Sequence, residues 1–249
     1  MKEKNIIHSK IIGKGAPLVF LHGWGVDSTL FLDLAELLAD NRECHLIDLP
    51  GFGESLKPSE VWGTLEYAKC IVDYLKERNI ERADILGHSV GGRIALRIAV
   101  HYPEYVDNLI LISSAGIKSK KFLFRRFKIF IIKKAAKFFK AIDKLLKNNF
   151  FKNRFALRFG SRDYRNAGDM KEIFVKIVEE NQEHELSKVN ARTLLIWGDK
   201  DTETPVDMGE TFSKKIKDAK LVILKGRGHM PFLGDGAGLC AYQIKEFLK

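Results

Sequence analysis

The sequence predicts an α/β fold: a mostly parallel, twisted sheet with helices on both faces and a helical segment inserted into it. Three observations carry that expectation. Short β-type runs alternate with longer stretches of helical period. Several of the short runs are apolar at nearly every position, as strands buried on both faces require. The alternation stops after Gly116 and resumes at Thr193, leaving a long stretch with no strand pattern.

In chain order, Asn5–Ile12 and Leu18–Leu21 read as the first two strands, and Thr29–Ala39 as a helix. Cys44–Asp48 is the next apolar run, followed by the helical period of Thr64–Arg78. Ala83–Leu86 is a strand that runs into a glycine-rich turn, and Gly91–His101 is the helix beyond it. Asn108–Ile112 completes the first half of the sheet. After the interruption come the strand Thr193–Trp197, the helix Asp207–Lys217, the strand Lys220–Leu224 and the helix Gly238–Leu248. Strands separated by helices form right-handed crossover units, which makes the strands parallel. The domain division that follows is a core of residues 1–116 and 189–249 and an inserted helical cap over 117–188.

The insertion is chemically distinct. Phe124, Phe127, Ile131, Ala135, Phe138, Ile142 and Leu145 recur at spacings of three and four, so they share one helical face. Lys133, Lys137, Lys140, Lys144 and Lys147 keep the same rhythm on the opposite face. A second helical stretch runs from about Met170 to Glu180. Residues 118–158 hold 15 Lys and Arg against one acid, Asp143, whereas the whole chain carries a net +10. The rest of the protein is therefore mildly acidic, and the positive charge belongs to one segment.

Composition narrows the class. The chain has 249 residues, 45% hydrophobic and 30% charged, which suits an ordinary globular protein and excludes a disordered or fibrous one. Its three cysteines, Cys44, Cys70 and Cys240, form neither a disulfide framework nor a zinc-site spacing, which fits a reducing compartment. Met1–Lys10 is polar and unlike a secretory signal. No run approaches the ~18 apolar residues that span a bilayer. The expected location is the cytoplasm.

The chemistry concentrates at strand ends. Ala83–Leu86 leads into Gly87-His88-Ser89-Val90-Gly91-Gly92, a G-x-S-x-G turn between strand and helix. Small residues on either side let the backbone turn tightly enough to expose the serine hydroxyl. A serine needs a general base, and the base needs an orienting acid. Of the downstream histidines His184 and His229, the first lies between Glu183 and Glu185 in the polar end of the insert. His229 lies in a Gly/Pro loop after the strand Lys220–Leu224, at the strand edge where open α/β sheets assemble their sites. For the acid, the segment after Asn108–Ile112 offers no carboxylate until Asp143. The segment after Thr193–Trp197 offers Asp199, Asp201 and Glu203; Asp201 is preferred, with Asp199 and Glu203 read as turn or helix-capping residues. The oxyanion of acyl transfer needs N–H donors, for which the amides of Val90 and Trp24 are the candidates. Neighbouring motif residues His22, Gly23, His88 and Met230 are expected to line the substrate site.

Four motifs, in order, resemble the α/β-hydrolase superfamily: His22–Gly25, Asp48–Ser55, Gly87–Gly92, and the pair Gly198…Asp201 with Gly228–Pro231. The resemblance implies a triad of Ser89, Asp201 and His229, oxyanion donors at Trp24 and Val90, and a cap where the helical insert lies. It implies no metal and no organic cofactor. Epoxide hydrolases and haloalkane dehalogenases carry Asp where this chain carries Ser89. The first two motifs also look like those of pimeloyl carrier-protein methyl ester esterases and of C–C hydrolases acting on ring-cleavage products. The expected activity is hydrolysis of a small-molecule carboxylic ester with an apolar acyl part. Alternatives are a carrier-protein-linked ester or thioester, a C–C substrate, or a silent binding member. The basic insert suits a pocket roof, an acidic partner such as an acyl carrier protein or CoA ester, or an anionic membrane surface. No base-reading motif accompanies the charge, so nucleic acid is not expected.

Overall fold

The computed structural model of the chain describes residues 6–118 and 166–249. The expected Phe/Lys helix over 124–147 lies outside the described residues. Seven strands form one sheet: β1 (Ser9–Gly13), β2 (Ala16–Leu21), β3 (Arg42–Ile47), β4 (Ala83–His88), β5 (Val106–Ile112), β6 (Arg192–Gly198) and β7 (Ala219–Leu224). Their order is β1-β3-β2-β4-β5-β6-β7, with β1 antiparallel to β3 and all other neighbours parallel. The described helices are α1 (Leu32–Glu36), α2 (Thr64–Glu77), α3 (Val90–His101), α4 (Lys171–Glu179), α5 (Val206–Lys215) and α6 (Gly236–Phe247).

The near-continuous apolar strands are explained by two cores. Val19 and Leu21 of β2 face a layer formed with α2, α3 and α5, while Leu18 and Phe20 face the opposite layer with α1 and α6. Successive strand residues point to opposite faces, so a strand covered on both sides must be apolar throughout. Each such buried Leu or Ile contributes on the order of 2 kcal/mol.

Two elements differ from the sequence reading. Among the described residues the pairing of β1 begins at Ser9, because residues 6–8 bind a loop instead: the Leu56 N–H donates to the Ile6 carbonyl and the Asp48 N–H to the His8 carbonyl. The helix expected over Thr29–Ala39 is a 3-10 turn, Ser28–Phe31, followed by the short α1. Asp27 caps that turn by accepting the Thr29 N–H at 2.9 Å.

The chain crosses from β3 to β4 past β2, so the direction of strand addition reverses between β2 and β4. Their C-terminal ends lie side by side, with Leu21 paired to Gly87. Crevices at such reversals are where open sheets hold their ligands.

Candidate active site

Ser89 stands between the end of β4 and the start of α3 with φ of 53° and ψ of −114°, a conformation costly for a residue with a side chain. The surrounding glycines make it possible. A Cβ on Gly91 would lie 2.0 Å from the Leu21 carbonyl oxygen, and one on Gly87 would lie 2.5 Å from the Gly91 carbonyl oxygen. The turn is held by the Ser89 N–H donating to the Ile112 carbonyl at 3.3 Å and by the Ser89 carbonyl accepting from Ala115 at 3.0 Å.

The structure brings Ser89, His229 and Asp201 together from three strand ends. His229 Nε2 is 3.1 Å from Ser89 Oγ, and His229 Nδ1 is 2.9 Å from Asp201 Oδ2. The Nδ1–H donates to the carboxylate, which leaves Nε2 free to accept from the hydroxyl. Asp201 is fully engaged. Its Oδ1 accepts the N–H groups of Glu203 and Thr204, each at 2.9 Å, and its Oδ2 also accepts the Thr204 hydroxyl at 2.8 Å. Burial raises the Asp201 carboxyl, but the His229 and Thr204 donors outweigh it and the net shift is downward. Asp199 braces a turn by accepting the Gly226 N–H at 2.7 Å.

Val90 follows Ser89 in the chain, and Trp24 follows Gly23, which abuts Ser89. Val90 opens α3, where first-turn N–H groups lack intrahelical partners, and neither N–H meets an acceptor among the described residues. Gly23 is required by close approach: a Cβ there would press on His88 Nδ1 at 3.1 Å and Ser89 Cβ at 3.3 Å. The Trp24 ring packs against Phe52 and against Phe174 of α4, each with ring centroids at 4.9 Å. The Asp48–Ser55 motif explains Phe52. Buried Asp48 accepts the Ser28 and Glu54 N–H groups at 2.9 Å and so fixes the loop. Burial opposes its charge, yet donors from Glu54, Ser28 and His8 hold its carboxyl at about 2.

The neighbours expected to line the substrate site divide. Met230 is half-open to solvent beside His229, and Gly23 abuts Ser89. The side chains of His22 and His88 are buried, and each ring is hydrogen-bonded to the backbone. His22 Nδ1–H donates to the Gly23 carbonyl at 2.7 Å, and its Nε2 accepts the Leu49 N–H at 2.9 Å. His88 Nε2–H donates to the His229 carbonyl at 2.9 Å, and its ring lies between those of His229 and Phe232. Burial, then the neighbouring His229 ring, pushes His88 down to about 3, so it stays neutral while it braces the His229 loop. His184 is exposed beside Glu185, and His101, also downstream of Ser89, faces Glu185 from the end of α3.

Two participants escaped the sequence reading. Thr204 ties the acid to the sheet: besides Asp201 Oδ2, its hydroxyl bonds the Ser113 carbonyl at 3.0 Å. Glu203, read as a capping residue, sends its carboxylate to within 3.4 Å of His229 Nε2. Both sit in Asp201-Thr202-Glu203-Thr204-Pro205, where the sequence singles out Asp201 and a proline-terminated turn but neither of these two. Among the described residues no cluster of three His, Cys, Asp or Glu side chains is arranged to hold a metal ion.

A parallel sheet reversing beside a strained serine turn defines a class of protein. A family model described as "alpha/beta hydrolase fold" matches residues 16–235, and the chain belongs to that family. A pimeloyl-[acyl-carrier protein] methyl ester esterase of Wigglesworthia glossinidia brevipalpis is 29% identical, with the match covering 96% of this chain and 96% of the relative. Among solved structures, a membrane phospholipase A described as a bacterial virulence factor superposes with a TM-score of 0.76 at 26% identity, covering 97% of this chain and 82% of that one. A thermophilic esterase from Thermogutta terrifontis shares the fold at a TM-score of 0.73 and 19% identity, covering 97% and 92%.

Proposed function

We propose that the protein is a serine hydrolase of carboxylic esters acting through an acyl-enzyme. The observation that carries this reading is the continuous line from Ser89 Oγ through His229 to Asp201, with links of 3.1 and 2.9 Å. In this reading His229 Nε2 takes the hydroxyl proton as Ser89 Oγ attacks the ester carbonyl carbon. The proton then passes to the departing alkoxide, the C–O bond breaks and the acyl group stays on Ser89. Water, deprotonated by the same Nε2, attacks the acyl carbon and releases the acid and the free hydroxyl. Asp201 holds the imidazole tautomer and balances its positive charge. The Trp24 and Val90 amides receive the oxyanion, each donor contributing on the order of 3 kcal/mol to the barrier reduction.

The described part of the proposed cap, 117–188, supports an apolar acyl site. α4 lies over the β2–β4 reversal: Phe174 covers Trp24, and the tip of Met170 occupies the space a Cβ on Gly51 would fill. The test is Ser89→Ala, which removes the nucleophile and leaves the turn. Turnover of p-nitrophenyl butyrate is expected to fall by at least about a thousandfold, with an unchanged thermal midpoint. Retained turnover overturns the reading.

A more specific reading, an ester of a carrier-linked acyl chain, is supported by the curated relative that acts on a pimeloyl-[acyl-carrier protein] methyl ester and by the 15 Lys and Arg of residues 118–158. Acyl carriers are acidic, and opposite charge speeds encounter.

A further inference from the structure

We infer that Glu203 is a charge filter at the proposed serine-esterase site, so that the site takes esters uncharged near the scissile carbonyl and rejects anionic ones. The inference rests on the reading of Ser89 and His229 given above. His229 Nε2 faces two oxygens: Ser89 Oγ at 3.1 Å and Glu203 Oε2 at 3.4 Å. The Glu203 side chain is 65% exposed, whereas that of Asp201 is fully buried, so Glu203 presents its charge on the solvent side of the imidazole.

The arrangement is built rather than incidental. The Glu203 N–H donates to Asp201 Oδ1 at 2.9 Å, which ties the backbone carrying the filter to the acid itself. Among the described residues, the other charged groups facing His229 offer no cation to cancel it. Asp201 adds a second negative charge behind Nδ1, and His88 is neutral. Arg227, in the same loop as His229, is committed to Asp235 through two bonds of 2.6 Å. A carboxylate on the acyl group would thus meet a like charge held within about two hydrogen-bond lengths of the attacking oxygen. At that separation near a surface, repulsion corresponds to roughly a five- to tenfold loss.

The test compares p-nitrophenyl butyrate with mono-p-nitrophenyl succinate, of equal acyl length but carrying a terminal carboxylate. The readout is the ratio of kcat/KM for neutral over anionic ester within each enzyme, so losses common to both cancel. Glu203→Gln is expected to lower this ratio about five- to tenfold and Glu203→Lys further. In the wild type, 0.5 M salt should shrink it. Ratios within twofold of wild type in both variants overturn the filter. Phosphonylation of Ser89 by an uncharged fluorophosphonate reports separately on the esterase reading. If wild-type protein neither labels nor turns over, binding of butyrate against butyramide, followed by the His229 ring resonances, still reads the filter. Weaker binding of the anion that equalises in Glu203→Gln supports it, and equal binding in both proteins refutes it.

Discussion

Thr204 shows how much of a site can rest on one small side chain. Its hydroxyl touches Asp201 Oδ2, the Ser113 carbonyl and, at 3.2 Å, His229 Nδ1, while its N–H donates to Asp201 Oδ1. It therefore fixes both the carboxylate rotamer and the distance from the loop to the sheet. Thr204→Val keeps the shape and removes the hydroxyl. Its expected cost is about 1–2 kcal/mol of stability and about a tenfold loss in kcat for p-nitrophenyl butyrate, with little change in KM. A loss carried wholly by KM would place Thr204 in substrate binding instead. Nothing in the sequence distinguishes this threonine from Thr202, two residues earlier. Ser89, in contrast, was legible because a strained turn demands glycines at fixed positions. The burial of His22 and His88 is not legible for the converse reason: adjacency to a motif does not reveal which way a ring points.

At the scale of elements, a buried polar cluster fastens the return of the insert to the helix that follows the nucleophile. Arg97 of α3 donates to Glu185 Oε1 at 2.5 Å, to Glu180 Oε2 at 3.1 Å and to the Thr64 hydroxyl at 2.9 Å. One turn earlier, Arg93 donates to the carbonyls of Ile177 and Glu180 at 2.9 and 2.8 Å. The Gln182 N–H donates to the Gly116 carbonyl at 2.8 Å, so the chain leaves the sheet and comes back at one point. Removing one member of a buried ion pair strands the other. Arg97→Ala is thus expected to lower stability by about 3–5 kcal/mol, read by urea denaturation. A change below about 1 kcal/mol would mean that water replaces the guanidinium without penalty. Among the described residues the strands and most helices are readable from period and turn residues, with errors at their ends and over Thr29–Ala39. This cluster is not, because isolated Arg, Glu and Gln look like ordinary surface residues until the fold buries them.

At the scale of the whole molecule, charge is divided. The Ser89–His229 line is bordered by two carboxylates, Asp201 and Glu203, whereas residues 118–158 carry 15 Lys and Arg. A substrate neutral at its reacting end and acidic at a distance would suit both. Replacing Lys133, Lys137, Lys140 and Lys144 by Gln is expected to weaken turnover of a carrier-linked ester about tenfold at low salt and to leave a free ester nearly unaffected. Equal losses on both would place the lysines in the fold rather than in recognition. Among the described residues no helix is long and apolar enough to cross a membrane.

The central claim is that the Ser89 hydroxyl is an activated nucleophile, and covalent labelling tests it most directly. The protein is treated with an uncharged fluorophosphonate and the adduct is mapped by peptide mass spectrometry. A single adduct on Ser89 is expected, with its formation slowed by at least about a hundredfold in His229→Ala. An unmodified Ser89, or labelling that proceeds equally well without the imidazole, would contradict the account.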